Sequence, residues 1–129
     1  MSSGLHIRAA HYPGRAPIDA YGNGGFRFAD MSHRGSILCL PSGIHGWTAT
    51  SGQGLTDADL EKVIAEAAEI DILLVGTGVE LLPLPRPLRE RLRELKVAVE
   101  PMSTGSAVRT YNVLLAEDRA VAAALVAVE

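Results

Sequence analysis

A chain of 129 residues that is 47% hydrophobic and carries a formal net charge of −3 has the length of one domain and enough apolar surface for a core. That balance excludes intrinsic disorder, which needs low hydrophobicity and high net charge. With no concentrated basic stretch, it also argues against a nucleic-acid partner held through phosphate contacts.

Residues 1–129 are read as a single domain, with 1–15 an N-terminal arm or edge strand and 16–129 the core. Aromatic residues make up only 5% of the chain, so aliphatic side chains must fill the interior. Cys39 is the only cysteine, which precludes an internal disulfide. Ser2 to Arg8 lacks the apolar core of a secretory signal. The longest apolar run, Ala120 to Val128, falls short of the ~20 residues a membrane span needs. These features predict a cytoplasmic protein without a transmembrane segment.

In chain order, Ile18 to Tyr21 and Phe26 to Phe28 read as strands flanking Gly22-Asn23-Gly24-Gly25, since Gly and Asn tolerate the positive φ of a tight hairpin. Ser36 to Leu40 is an apolar strand stopped by Pro41-Ser42-Gly43, and Ile44 to Thr48 reads as the strand leading out of that turn. Thr56 is the expected start of a helix, with Asp59 reaching back as in a capping box. Leu60, Val63, Ile64, Ala67 and Ala68 would form its buried stripe.

Ile72 to Val75 has the continuous apolar character of a strand covered on both faces. Pro87 suits the first turn of a following helix, with Leu88, Leu92 and Leu95 on one side. The alternating charges from Arg86 to Lys96 read as a solvated face. Lys96 to Val99, ended by Pro101, completes a strand–helix–strand unit of about the ~30 residues that a right-handed crossover requires, so the two strands should be parallel neighbours. From Ser103 onward the pattern reads as helical. Val108, Tyr111 and Leu115 share a face, a break falls near Glu117 and Asp118, and Val121 and Leu125 continue the apolar packing. The fold class is therefore α/β, a central mixed, partly parallel sheet with helices packed on it and an extra N-terminal β-hairpin.

No complete catalytic motif is present. Gly76-Thr77-Gly78 follows an apolar strand, but a dinucleotide fingerprint would place a third glycine where Leu81 stands. His6, His11, His33 and His45 show no helical pairing, and a single cysteine cannot help build a structural zinc site. Cys39 lies inside an apolar strand, where thiols are inert. No cofactor and no metal are expected.

The most informative stretch is Met102 to Asn112. Small hydroxyl residues open a helix directly after a buried strand, where free amides attract anions, and Arg109 and Asn112 lie on one face. Two readings of that pair stand: a structural one, with Arg109 paired to Glu117 or Glu80 and Asn112 satisfying a loop, and one in which both meet a ligand or partner. Trp47, Gly76, Thr77, Gly78, Thr104, Arg109 and Asn112 are accordingly the candidate ligand- or partner-binding residues, expected to converge at the carboxyl edge of the sheet. No catalytic residue is assigned.

Four stretches carry a family resemblance: Ile18-Asp19-Ala20-Tyr21-Gly22 with Gly25-Phe26; Pro41 through Trp47; Leu73-Leu74-Val75-Gly76-Thr77-Gly78; and Met102-Ser103-Thr104-Gly105 with Arg109-Thr110-Tyr111-Asn112-Val113-Leu114-Leu115-Ala116-Glu117. In them the chain resembles bacterial relatives of mitochondrial complex I (NADH dehydrogenase) assembly factor 3. That family is catalogued as a domain of unknown function and is also seen in an adipogenesis-associated protein. The resemblance implies the same α/β fold and no established enzyme activity. It implies a protein partner, either a second assembly factor or a respiratory complex subunit. Family members often carry Cys where this chain has Val108, so thiol chemistry does not carry over to that helix.

The leading expectation is a non-catalytic binding or assembly protein. The competing one is an anion-binding or enzymatic pocket at the same sheet edge. A third is a homo-oligomer in which an apolar C-terminal helix, Ala120 to Val128, packs against a second copy.

Overall fold

The computed structural model describes residues 11–129. Residues 1–10, which include His6 and the Ser2–Arg8 stretch, lie outside them. The described strands are β1 (His11–Pro13), β2 (Ala20–Gly22), β3 (Gly25–Phe28), β4 (Met31–Arg34), β5 (Ser36–Leu40), β6 (Gly43–Trp47), β7 (Ile72–Gly76), β8 (Ala98–Met102) and β9 (Val121–Leu125). The α-helices are α1 (Glu61–Ala65), α2 (Arg86–Glu94) and α3 (Thr104–Ala116). Six strands form one sheet in the order β1-β6-β5-β9-β7-β8, and β2-β3-β4 form a second.

The large sheet is mixed. β7 runs parallel to both β8 and β9, whereas β5 is antiparallel to β6 and β9, and β1 is antiparallel to β6. Ile72 pairs with Ala98 in register, so the strand–α2–strand unit is the parallel crossover expected from the sequence. β8 runs over Ala98–Met102 and not the expected Lys96–Val99: Lys96, with φ of 64°, lies in the turn after α2, and Pro101 sits inside the strand instead of ending it. The proline is tolerated because β8 is a sheet edge, where its missing N–H interrupts no central ladder.

Alternation along the strands divides the core into two layers. Leu38, Leu40, Leu73, Val75, Ala122 and Ala124 point to one face, where they pack with Val63, Leu88 and Leu92 of α1 and α2. Ile37, Cys39, Leu74, Val121, Ala123 and Leu125 point to the other, beneath Ala107, Val108 and Tyr111 of α3 and beside Phe26 and Phe28 of the small sheet. Each buried strand thus feeds both layers, which is why these runs show no polar alternation.

The N-terminal hairpin is a three-stranded meander. Asn23 and Gly24 have φ of 54° and 79°, positive at both central turn positions as a type I′ connection requires. Ala29 and Asp30 repeat the pattern at 49° and 60° and lead into β4. Ala carries no turn signal of its own, so neither this second turn nor β4 was legible in the sequence.

Two further expectations are corrected. The segment beginning at Val121 is a strand, not a continuation of helix. β9 lies between β5 and β7, and all five of its residues are buried. Alanine favours helix by less than about 1 kcal/mol per residue over ordinary residues. Hydrogen-bonded neighbours on both sides outweigh that preference, and small side chains let the covering layers approach. The proposed self-packing C-terminal helix therefore does not exist. The helix expected from Thr56 is also shorter: 57–60 form turns, α1 covers Glu61–Ala65, and a 3-10 turn follows at Ala67–Glu69. Asp59 Oδ2 does reach back to the Thr56 N–H at 2.8 Å. The Thr56 hydroxyl, however, donates to that carboxylate at 3.1 Å instead of accepting a backbone N–H.

Candidate functional site

At the carboxyl end of β7, Gly76, Thr77, Gly78 and Thr104 do come together. Thr104 is fully buried. Its hydroxyl donates to the Val126 carbonyl at 2.7 Å and accepts the Gly78 N–H at 3.0 Å, while its own N–H donates to the Gly78 carbonyl at 2.8 Å. Thr77 donates its N–H to Met102 O at 2.9 Å. Its hydroxyl donates to Glu80 O at 2.6 Å and accepts the Leu82 N–H at 2.9 Å. A Cβ at Gly76 would lie 2.9 Å from Thr104 Cα, so the helix start is pressed directly on the strand end.

This cluster is a tightly hydrogen-bonded knot. Ser103 caps α3 by accepting the Ser106 N–H at 3.3 Å. The amides of Thr77, Gly78, Thr104 and Ser106 all have partners inside the protein, so these four are not free to capture an anion.

Trp47 stands elsewhere. It is 8% exposed and belongs to the core layer under α1 and α2, and its indole N–H donates to Asp59 O at 2.8 Å. The sheet therefore separates it from α3. Cys39 is fully buried in the opposite layer. Burial pushes its thiol up to about 12, partly countered by a hydrogen bond with Tyr111, so no thiolate is available near neutral pH.

Arg109 and Asn112 lie on the outer side of α3, where they line a shallow cleft of about 360 Å³ with Ile18, Asp19, Tyr21 and Gly105. Asn112 forms its floor: Oδ1 accepts the Ile18 N–H at 2.8 Å and Nδ2 donates to the Ile18 carbonyl at 2.9 Å. Both functions of its amide are thereby used to hold the 18–21 segment. Arg109 and Asp19 are exposed and make no ion pair among the described residues. Tyr21, 44% exposed, lays its hydroxyl over Gly105, where a Cβ would collide with it.

The sequence reading singled out α3 but assigned no role to Asp19, Tyr21 or Gly105. Their signal lay in the Ile-Asp-Ala-Tyr-Gly stretch, whose approach to α3 depends on a contact across 94 positions.

Comparison with known proteins places these features in a family. The family model described as "Protein of unknown function (DUF498/DUF598)" matches residues 18–126. A crystal structure described as an outer membrane protein from Bartonella henselae is 65% identical, with a TM-score of 0.89 over 92% of this chain and 100% of that one. An uncharacterised protein of Rhodobacter capsulatus is 43% identical over 92% of this chain and 90% of its own length. The mouse NADH dehydrogenase [ubiquinone] 1 alpha subcomplex assembly factor 3 is 29% identical over 95% of this chain, which spans 66% of that protein. On the extent of the match, the chain belongs to the DUF498/DUF598 family of proteins of unknown function.

Proposed function

We propose that the chain is a non-catalytic binding or assembly protein, in the manner of the NADH dehydrogenase assembly factor it resembles, and that it engages a protein partner at the cleft between residues 18–21 and α3. One observation carries this reading. Two segments far apart in sequence, both within the family match, are clamped together and leave Arg109, Asp19 and Tyr21 at the surface. Arg and Tyr are the residue types that most often anchor a protein interface. The loop after Gly78, tied to the start of α3, adds the exposed apolar side chains Val79 and Leu81.

The site of action in this reading is the cytoplasm, in keeping with one buried, unpaired cysteine. No described helix is long and apolar enough to cross a membrane. Fractionation of cells expressing the chain distinguishes this location from the outer membrane named for the Bartonella structure.

The assembly role is tested in Rhodobacter capsulatus lacking its own 43% identical relative. Complementation with this chain should restore assembled NADH dehydrogenase on native gels, and Arg109→Glu and Tyr21→Ala should not. Normal assembly in the deletion strain rejects the role. Full rescue by both variants rejects the cleft.

A further inference from the structure

A second cleft, of about 530 Å³, opens at the other end of the large sheet, between β1, β4, β6 and α1. Five of its eight lining residues are basic: His11, His33, Arg34, His45 and Lys62. None of the eight is acidic, although the chain as a whole has 15 carboxylate side chains against 12 Lys and Arg. Arg34 and Lys62 are exposed and form no ion pair among the described residues. Arg34 of β4 and Lys62 of α1 thus bring positive charge to one concavity, and β1 and β6 add the protonatable imidazoles of His11 and His45; the concave shape concentrates the local potential.

The histidines are organised by hydrogen bonding. His11 and His45 face each other as an in-register cross-strand pair, with their Nδ1 atoms 3.2 Å apart. Behind His45, the Ser42 hydroxyl donates to Glu66 Oε2 at 2.5 Å, and the Ser42 N–H donates to Oε1 at 2.9 Å. The single Ser42 proton is committed to that carboxylate. The 2.9 Å contact between Ser42 Oγ and His45 Nε2 therefore requires His45 to donate, which places a proton on its Nε2. Its Nδ1 is then directed at His11, and the two Nδ1 atoms can share one proton. Glu66 acts through Ser42 on the far ring nitrogen and does not enter the cleft.

We propose that this cleft binds a small dianionic group, the phosphoryl or sulfate end of a soluble metabolite, held by Arg34, Lys62 and the protonated His11–His45 pair. The volume suits a small ligand, and charge-assisted hydrogen bonds from guanidinium, ammonium and imidazolium are the strong contacts such a group seeks.

Protonation and binding are coupled. Burial, then the neighbouring charges of Lys62 and His11, hold the His45 imidazole below its ordinary value, while Glu66 pulls the other way. His33 and Arg34 of β4 also line the cleft. An anion offsets the repulsion among these groups, so it binds with proton uptake. Affinity should rise as pH falls through and below the ordinary imidazole range of about 6.5.

The test uses sulfate, whose charge is constant near neutrality, and pyrophosphate. Each is titrated into the full chain and followed by amide chemical shifts at about pH 5.5 and about pH 8, on either side of the ordinary imidazole value. Saturable shifts at Gly46, Thr48 and Lys62 are expected, tighter at the lower pH. Arg34→Ala and Lys62→Ala should each weaken binding about tenfold, and His45→Gln should flatten the pH dependence. The proposal falls if the wild type shows no saturable shifts in the cleft at the lower pH. It also falls if the two cation variants bind as tightly as wild type, or if affinity is the same at both pH values.

Discussion

Asn112 holds Ile18 by both backbone groups: its side-chain oxygen accepts the Ile18 N–H and its nitrogen donates to the Ile18 carbonyl, at 2.8 and 2.9 Å. This pair does for α3 and the 18–21 segment what a ladder step does for two strands. Truncation in Asn112→Ala leaves both Ile18 groups without their protein partners in a half-buried setting. A loss of about 2 kcal/mol follows from two such bonds. A urea midpoint unchanged from wild type would show that the clamp contributes nothing.

Thr104 makes a sharper case because its hydroxyl is fully buried and bonded both as donor and as acceptor. Thr104→Val keeps the shape and removes both bonds, so it should destabilise by about 2 kcal/mol. Thr104→Ser keeps both bonds and loses one methyl, about 1 kcal/mol. Chemical denaturation of the two variants gives the order. Equal stability of Thr104→Val and wild type would mean that the knot at the end of β7 is held by packing alone.

Alkaline pH should unfold the protein in a way traceable to Cys39. Burial raises its thiol pKa from 9.0 to about 12 in the folded state. Stability from this group is complete below the unfolded thiol's pKa and is lost as pH rises towards the folded value. Above the unfolded pKa the loss is up to about 1.4 kcal/mol per pH unit. Tyr111, in contact with Cys39 and also raised by burial, acts in the same direction. Urea midpoints between neutral and strongly alkaline pH should fall, and Cys39→Ala should show a shallower fall. Identical slopes would remove Cys39 from the account.

Arg109 should behave in the opposite manner, affecting function and not stability. It is exposed and without an ion pair among the described residues. Substitutions at such positions usually shift stability by less than about 0.5 kcal/mol. Arg109→Glu should melt with wild type in a thermal scan while failing to support partner binding. A large drop in melting temperature would mean that Arg109 has a structural role.

Local signals carried much of the architecture. The hairpin about Asn23-Gly24 was legible because positive φ at two successive positions selects those residue types. The parallel placement of β7 and β8 followed from the length of the unit between them. The face of α3 bearing Val108 and Tyr111 showed in its spacing. In each case the determinants lie within a few tens of residues. The expected convergence of Trp47 with Arg109 lacked such a determinant, since which face of the sheet a Trp meets depends on register with strands far away.

By itself, the sequence determined an α/β fold with a parallel strand pair and a helix opening near Ser103, because period, caps and turn chemistry act over short range. Only the tertiary structure decided that Val121–Leu125 is a central strand, that Asn112 grips Ile18, and that His11, Arg34, His45 and Lys62 meet in one cleft. Those outcomes depend on which distant segments pair. An alanine-rich run or an isolated histidine has no local preference strong enough to reveal its partner.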